Sequence, residues 1–283
     1  KLNKPGRFIE LLRAETYFDE AAFQHRICGE KYSVSYYRTL KSRPLKILQA
    51  LAIVSTPQGS SEVKKNYDNC QKYFLLGQKM LTQGENTEGI RLVRQAHRIA
   101  VAYDFVHLAC ELSSLLHHDH TYYNVEEKKA RFYAQQMKTY LDAYAAEKRA
   151  EAIFYQAVRQ LTRSKHTELI KDLVQEMDSF EIHSIKAYYY KATLNLIYGF
   201  EKNSYKYVIQ SCNKVLAFFA DQRGVYRSHY KIFFSQRGIA QMALGHYQEA
   251  EESLEQAGKY TSRKTYNDYI VKFYQTLNAL HCG

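Results

Sequence analysis

Proline is nearly missing from this chain: Pro5, Pro44 and Pro57 are the only three, so nothing after residue 57 breaks a helix by ring geometry. Tryptophan is absent altogether, which leaves aromatic packing to 26 tyrosines and 14 phenylalanines. Tyrosine suits helix seams, because its ring packs while its hydroxyl reaches water or a carbonyl. The five cysteines, Cys28, Cys70, Cys110, Cys212 and Cys282, are scattered, with no two separated by two residues. That spacing excludes a paired-cysteine zinc site, and an odd, dispersed set points to reduced thiols in a cytoplasmic setting. No apolar run approaches the roughly 20 residues of a membrane span. The chain starts at Lys1 rather than methionine, as a trimmed chain would, and no signal-like apolar region follows to mark export.

Reactive motifs are missing too. The sequence has no glycine loop to cradle phosphate, no serine in a nucleophile elbow and no paired-histidine motif with an intervening base. The expectation is a protein that is not an enzyme and needs no cofactor. His117, His118, Asp119 and His120 form the one dense group of metal-ligand types. Adjacent histidines on a regular helix cannot all face one ion, so no metal site is assigned; the group ends an apolar pattern and is read as a helix end and loop.

What is present is helical periodicity and an echo. Runs alternating with period two are scarce, and hydrophobic residues make up 46% of the chain, enough for a core of ordinary size. One stretch carries Tyr73, Leu76, Gly77, Gly84, Gly89, Val93 and Ala96; a second carries Phe234, Gly238, Gly245, Tyr247, Ala250, Leu254 and Ala257, with aromatic, glycine and alanine positions at matching offsets. In each, a helix must end, reverse and return. Gly84 and Gly245 supply the reversal, and Gly77, Gly238, Gly89 and Ala250 fall where two helix axes approach closely. Val93 and Leu254 fill the space between.

These two stretches resemble the tetratricopeptide repeat, a helix, turn, helix unit of about 34 residues. Arg237 departs from the pattern, standing where leucine is expected, and predicts a weaker seam there. The resemblance implies an all-α fold of antiparallel helix pairs stacked as a right-handed α-solenoid. It also implies a concave groove lined by the first helix of each unit, at Gln71, Phe74 and Gln78, and at Ile232, Ser235, Ile239 and Met242. Chaperone-binding members hold a peptide carboxylate with lysine and asparagine. Here Phe74, Gln78, Ser235 and Ile239 take those places, so that clamp is absent, and the more apolar groove favours an amphipathic helix or extended apolar segment. The long, irregular repeats rich in tyrosine and lysine also resemble bacterial proteins.

The two turn glycines lie 161 residues apart, not a whole multiple of the period, so longer or irregular pairs are expected between them. Shared faces are read for Tyr103, Val106, His107, Cys110, Ser114 and Leu115, and for Phe132, Gln136, Tyr140, Ala143 and Tyr144. They continue through Ile153, Phe154, Ala157, Val158 and Leu161 into Ile185, Tyr188, Tyr189, Ala192, Leu196 and Ile197. A worn third copy is drawn over 188–198 and 204–219, turning around Gly199, with Val208, Cys212 and Val215 at repeat spacing. A linker at 55–61 separates an N-terminal helical region, 1–55, from the array at 62–261. Residues 262–283 are read as a closing helix with Tyr266, Tyr269, Ile270, Phe273, Leu277 and Leu280 on its packed side.

The net charge of +11 is concentrated: residues 1–60 carry ten basic and five acidic side chains, and 181–240 carry nine and three. Within the first region, residues 19–28 and 33–43 have the shape of a helix-turn-helix whose second helix bears Tyr36, Tyr37, Arg38, Lys41 and Arg43, side-chain types that reach bases and phosphates. The turn is long and Pro44 shortens that helix, so a helical cap on the repeats is the competing reading. The leading expectation is therefore a non-enzymatic scaffold that binds a protein or peptide segment. The alternative is a nucleic-acid-associated regulator using 19–43 or 181–240.

Overall fold

A computed structural model describes residues 61–163, 167–220 and 227–282. Packing divides the chain at the Ser61 and Glu62 junction, and the second unit holds nearly all of what is described. The expectations for 1–55, including Tyr36, Tyr37, Arg38, Lys41 and Arg43, and most of the linker lie outside the described residues. Ten helices and no strand occur among those residues. In chain order they are α1 (Glu62–Thr82), α2 (Asn86–Ala102), α3 (Val106–Tyr122), α4 (Glu127–Arg163), α5 (Thr167–Asp178), α6 (Ile185–Glu201), α7 (Tyr205–Ala220), α8 (Arg227–Ala243), α9 (Tyr247–Lys259) and α10 (Tyr266–Cys282). No described helix is long and apolar enough to cross a membrane.

Four helices end in one motif. After α1, Gly84 takes a φ of +85° while the Glu85 amide bonds the Met80 carbonyl and the Gly84 amide bonds Leu81. Gly245 does the same after α8, with the His246 amide on the Gln241 carbonyl. This is the Schellman arrangement, which satisfies carbonyls that the helix leaves open and needs a left-handed residue. It recurs where no glycine stands: Asp104 ends α2 at φ 55° and Asn203 ends α6 at φ 53°, with the Phe105 and Ser204 amides reaching back to Ala100 and Gly199. Asp and Asn tolerate this conformation better than other side-chain-bearing residues.

Helices pack on their sequence neighbours, most intimately α1 on α2, α3 on α4 and α8 on α9. The small residues set those approaches. A Cβ added at Gly77 would stand 3.0 Å from Val93 Cγ2 and 3.1 Å from the Gly89 carbonyl oxygen, and one at Gly238 would stand 2.9 Å from Leu254 Cγ. Val93 and Leu254 are fully buried in the gaps. Further along the pair, the Cys70 thiol donates to the Ala96 carbonyl and the Tyr103 hydroxyl to Glu62, so contacts run down α1 as they run up α2.

Between these helices the lengths are irregular. Helix α4 is 37 residues long, and α5 is a 12-residue insertion packed on α4 and α6, while α4 also touches α6 directly. Both the long α4 and the inserted α5 fall within the 161 residues between Gly84 and Gly245. Three apolar clusters follow one another: α1 to α3, then α4 to α6, then α6 to α8, with Tyr189 packed against the last two.

Several sequence expectations are corrected. The region read as a third copy folds as the helices α6 and α7, and Val208, Cys212 and Val215 are buried, but Gly199 lies inside α6; the turn is at Asn203. Gly199 is small because a Cβ there would meet Val208 at 2.7 Å. The packed side of α3 is Val106, Leu108, Ala109, Leu112 and Leu116, and Phe132 of α4 faces solvent. Helix α10 is rotated from the reading: Asp268, Val271 and Asn278 are buried, while Tyr266, Tyr269, Phe273 and Leu280 are exposed. Asn278 anchors this rotation by donating to the Tyr247 carbonyl and to Glu251 of α9, while Asp268 closes the start of its own helix by accepting from the Lys264 amide and from Lys272. The Arg237 seam is also reinforced rather than left weak. Its guanidinium lies over Phe234 and donates to Ser253 of α9 and Asn213 of α7.

Two glycine substitutions separate close approach from backbone freedom. Gly77→Ala is expected to destabilise by about 1–3 kcal/mol, because backbone atoms of α2 cannot yield. Gly258→Ala, where a Cβ meets nothing within 4 Å, is expected to be neutral or stabilising by up to about 1 kcal/mol. Urea unfolding of both variants checks this, and equal losses would contradict the packing described.

Candidate functional site

A cavity of about 420 Å³ opens among α1, the corner between α2 and α3, α4, α6 and α8. Tyr67 reaches it from α1, Val106 and His107 from the start of α3, Ile185, Lys186, Tyr189 and Tyr190 from α6, and His229 from α8. Asp104 and Phe105 come from the corner, and Glu147 from α4.

The aromatic walls are braced against one another. Tyr67 meets Phe105 edge to face at 5.1 Å, and His229 meets Tyr189 in the same way at 4.5 Å. Gln71 Nε2 donates to the Tyr67 hydroxyl at 3.1 Å, which leaves that hydroxyl's proton for His107 Nε2, 3.2 Å away. Accepting this proton requires a neutral imidazole, and burial does push the His107 pKa down. Burial likewise raises the Tyr67 pKa.

The polar side has more negative than positive groups. Glu147 is 4% exposed. One of its oxygens is 3.1 Å from Lys186 Nζ and the other accepts from the Ser184 hydroxyl at 3.3 Å. Lys186 also lies 3.9 Å from Glu151 and above the Tyr190 ring at 5.8 Å. Asp104 accepts the Ile185 amide at 2.6 Å, across 81 residues of sequence, and forms no ion pair among the described residues. That amide is the first of α6 and has no intrahelical partner, so the carboxylate satisfies an otherwise orphaned donor. Burial, with the nearby Glu147 charge, raises the Asp104 pKa to about 6 against the lowering by this bond. Asp104 and Ile185 also border a second recess of about 310 Å³ with His183, Tyr188 and Phe218.

The seven groove positions read from the sequence do not line this cavity. Gln71 borders it through Tyr67, and Phe74 packs against the first apolar cluster. Ser235 is buried and donates to its own helix at Lys231; Gln78, Ile232, Ile239 and Met242 are half-buried on α1 and α8. The cavity was missed because its wall is assembled from five helices and a corner far apart in sequence, and only the unusual run Tyr188, Tyr189, Tyr190 gave a local signal.

No group of three or more histidine, cysteine or acidic residues is placed to hold a metal ion among the described residues. His117 donates to the Ala130 carbonyl of α4, and His120 lies against Asn124 in the last turn of α3. Cys70, Cys110 and Cys212 are free thiols. Burial pushes Cys70 and Cys212 up to about 12, which removes the thiolate a nucleophile would need. In the basic 181–240 segment, Lys186, Lys191 and Lys202 are paired with Glu147, Asp178 and Glu168.

No family model, curated protein or solved structure matches the chain.

The Asp104 carboxyl gives a pH signature. Its folded pKa of about 6 lies above its ordinary 3.8, so its stabilising contribution is complete below pH 3.8 and is lost as pH rises through about 6. Asp104→Asn keeps an acceptor for Ile185 and tolerates the left-handed backbone. The variant is expected to gain on wild type by about 2 kcal/mol between pH 4 and 7.5, allowing about 1.4 kcal/mol per pKa unit less solvent screening. Paired urea titrations at both pH values measure it, and a difference independent of pH would contradict the burial of this group.

Proposed function

We propose that residues 62–261 form a tetratricopeptide-like array of antiparallel helix pairs, stacked as a right-handed α-solenoid and closed by 262–283, whose groove binds a peptide or helical segment of a partner protein without acting chemically on it. One observation carries this reading. Taking the pairs as α1 with α2, α3 with α4, α6 with α7 and α8 with α9, the first helix of every pair contributes to the cavity wall. Stacked pairs place their first helices side by side along one face, and that face is where such arrays receive extended or helical segments.

The repeated turn motif supports the same arrangement, since Gly84, Asn203 and Gly245 each reverse the chain within one pair. Glycine-enforced approach within α1 and α2, and within α8 and α9, makes those pairs rigid supports for the groove. The nucleic-acid reading has less behind it. Three lysines of the basic segment are already neutralised by carboxylates of α4 and α5, and the cavity wall holds Asp104 and Glu147 against one lysine.

Selection of a displayed random peptide library on the full chain tests this. A photo-crosslinking residue at Gln71, Gln78 or Met242 is expected to capture the selected peptides, while one at Lys128 or Glu255, exposed on second helices, is not. Capture only from the second-helix positions would contradict the groove.

A further inference from the structure

We propose that the cavity receives the basic end of a lysine or arginine side chain of the bound peptide, an assignment that rests on the groove reading above. Three features of the wall select a cation. Asp104 is half-buried and has no cationic partner among the described residues, although a carboxylate drawn out of water ordinarily gains one. Glu147, which is buried, lines the same space, so the wall carries two carboxylates against the single ammonium of Lys186. Tyr67, Phe105, Tyr189 and Tyr190 supply ring surface, and ring faces attract an ammonium or guanidinium.

The wall already holds one cation in this manner. Lys186 Nζ lies 3.1 Å from Glu147 and 5.8 Å above the Tyr190 ring, so carboxylate and tyrosine face together bind an ammonium here. An incoming basic group would take the unpaired Asp104 and the rings of Tyr67 and Phe105. Around His107, Glu111 and Lys148 carry opposite charges and do not reverse this balance. The cavity volume of about 420 Å³ falls within the roughly 300–1,000 Å³ of small-ligand sites, enough for one long side chain. An acidic side chain would meet two carboxylates, and a purely apolar one would bury the Asp104 charge with only the Ile185 amide and no cation to offset it, so both are selected against.

The test uses the full-length chain and peptides selected from the displayed library. They are expected to share a lysine or arginine, and changing it to norleucine should weaken binding at least tenfold. Asp104→Asn, which keeps the Ile185 contact, should weaken the parent peptide comparably and make the norleucine change nearly silent; Glu147→Gln, checked for folding, should act in the same direction. Selected peptides without a shared basic residue, or a norleucine effect undiminished in Asp104→Asn, would overturn the cation assignment while leaving the groove intact. If no peptide is selected, the groove reading fails, and n-butylammonium becomes the probe. Its binding to wild type but not to Asp104→Asn, seen as amide shifts at Ile185 and Lys186, would overturn the peptide as source while keeping a cation site. No binding to either would overturn both.

Discussion

The Ile185 amide and the Asp104 carboxylate join parts of the chain separated by 81 residues, and their bond stands in the wall shared by two recesses. Between them run all of α3, α4 and α5. Holding the corner after α2 against the start of α6 brings Tyr67, Phe105 and His107 opposite Tyr189 and Tyr190. The contact has local costs: a left-handed backbone at a residue with a side chain, on the order of 1 kcal/mol, and a carboxylate partly removed from water. It offsets them by satisfying a helix-start amide that has no intrahelical partner. A residue that breaks local preference while making a long tertiary bond marks a place where geometry matters more than local stability.

Elsewhere stability comes from many modest contacts between neighbours. Glycine and alanine permit α1 to lie against α2 and α8 against α9, and the released space is filled by Val93 and Leu254. Arg237 replaces apolar packing with hydrogen bonds to two helices. The second and third apolar clusters meet through Tyr189, which also belongs to the cavity wall. Binding at that wall therefore touches a residue on which two clusters pack.

Much of the helical organisation was legible in the sequence, because glycine at a turn or a close approach leaves a mark that spacing reveals. Gly77, Gly84, Gly89, Gly238 and Gly245 all occupy the roles their spacing suggests. The same turn at Asp104 and Asn203 escaped notice, since neither is glycine and each is ordinary in a loop. Gly199 misled for the complementary reason: a glycine can mark a crossing instead of a reversal. Periodicity placed α10 as a helix but chose the wrong face, because Asn278 docks it on α9 while Tyr266, Tyr269 and Phe273 stay exposed. The cavity was illegible in principle from local pattern. Its walls come from five helices and one corner, and beyond the run Asp104 to His107, which joins the corner to α3, no short window of sequence brings two parts of it together.

Native-state hydrogen exchange at the Ile185 amide tests the central contact most directly. As the first residue of α6 this amide has no helical acceptor, so any protection reports the Asp104 carboxylate alone. The expected result is slow exchange in the native chain and fast exchange in Asp104→Ala at matched stability. Exchange in the native chain as rapid as that of an unpaired first-turn amide would contradict the account.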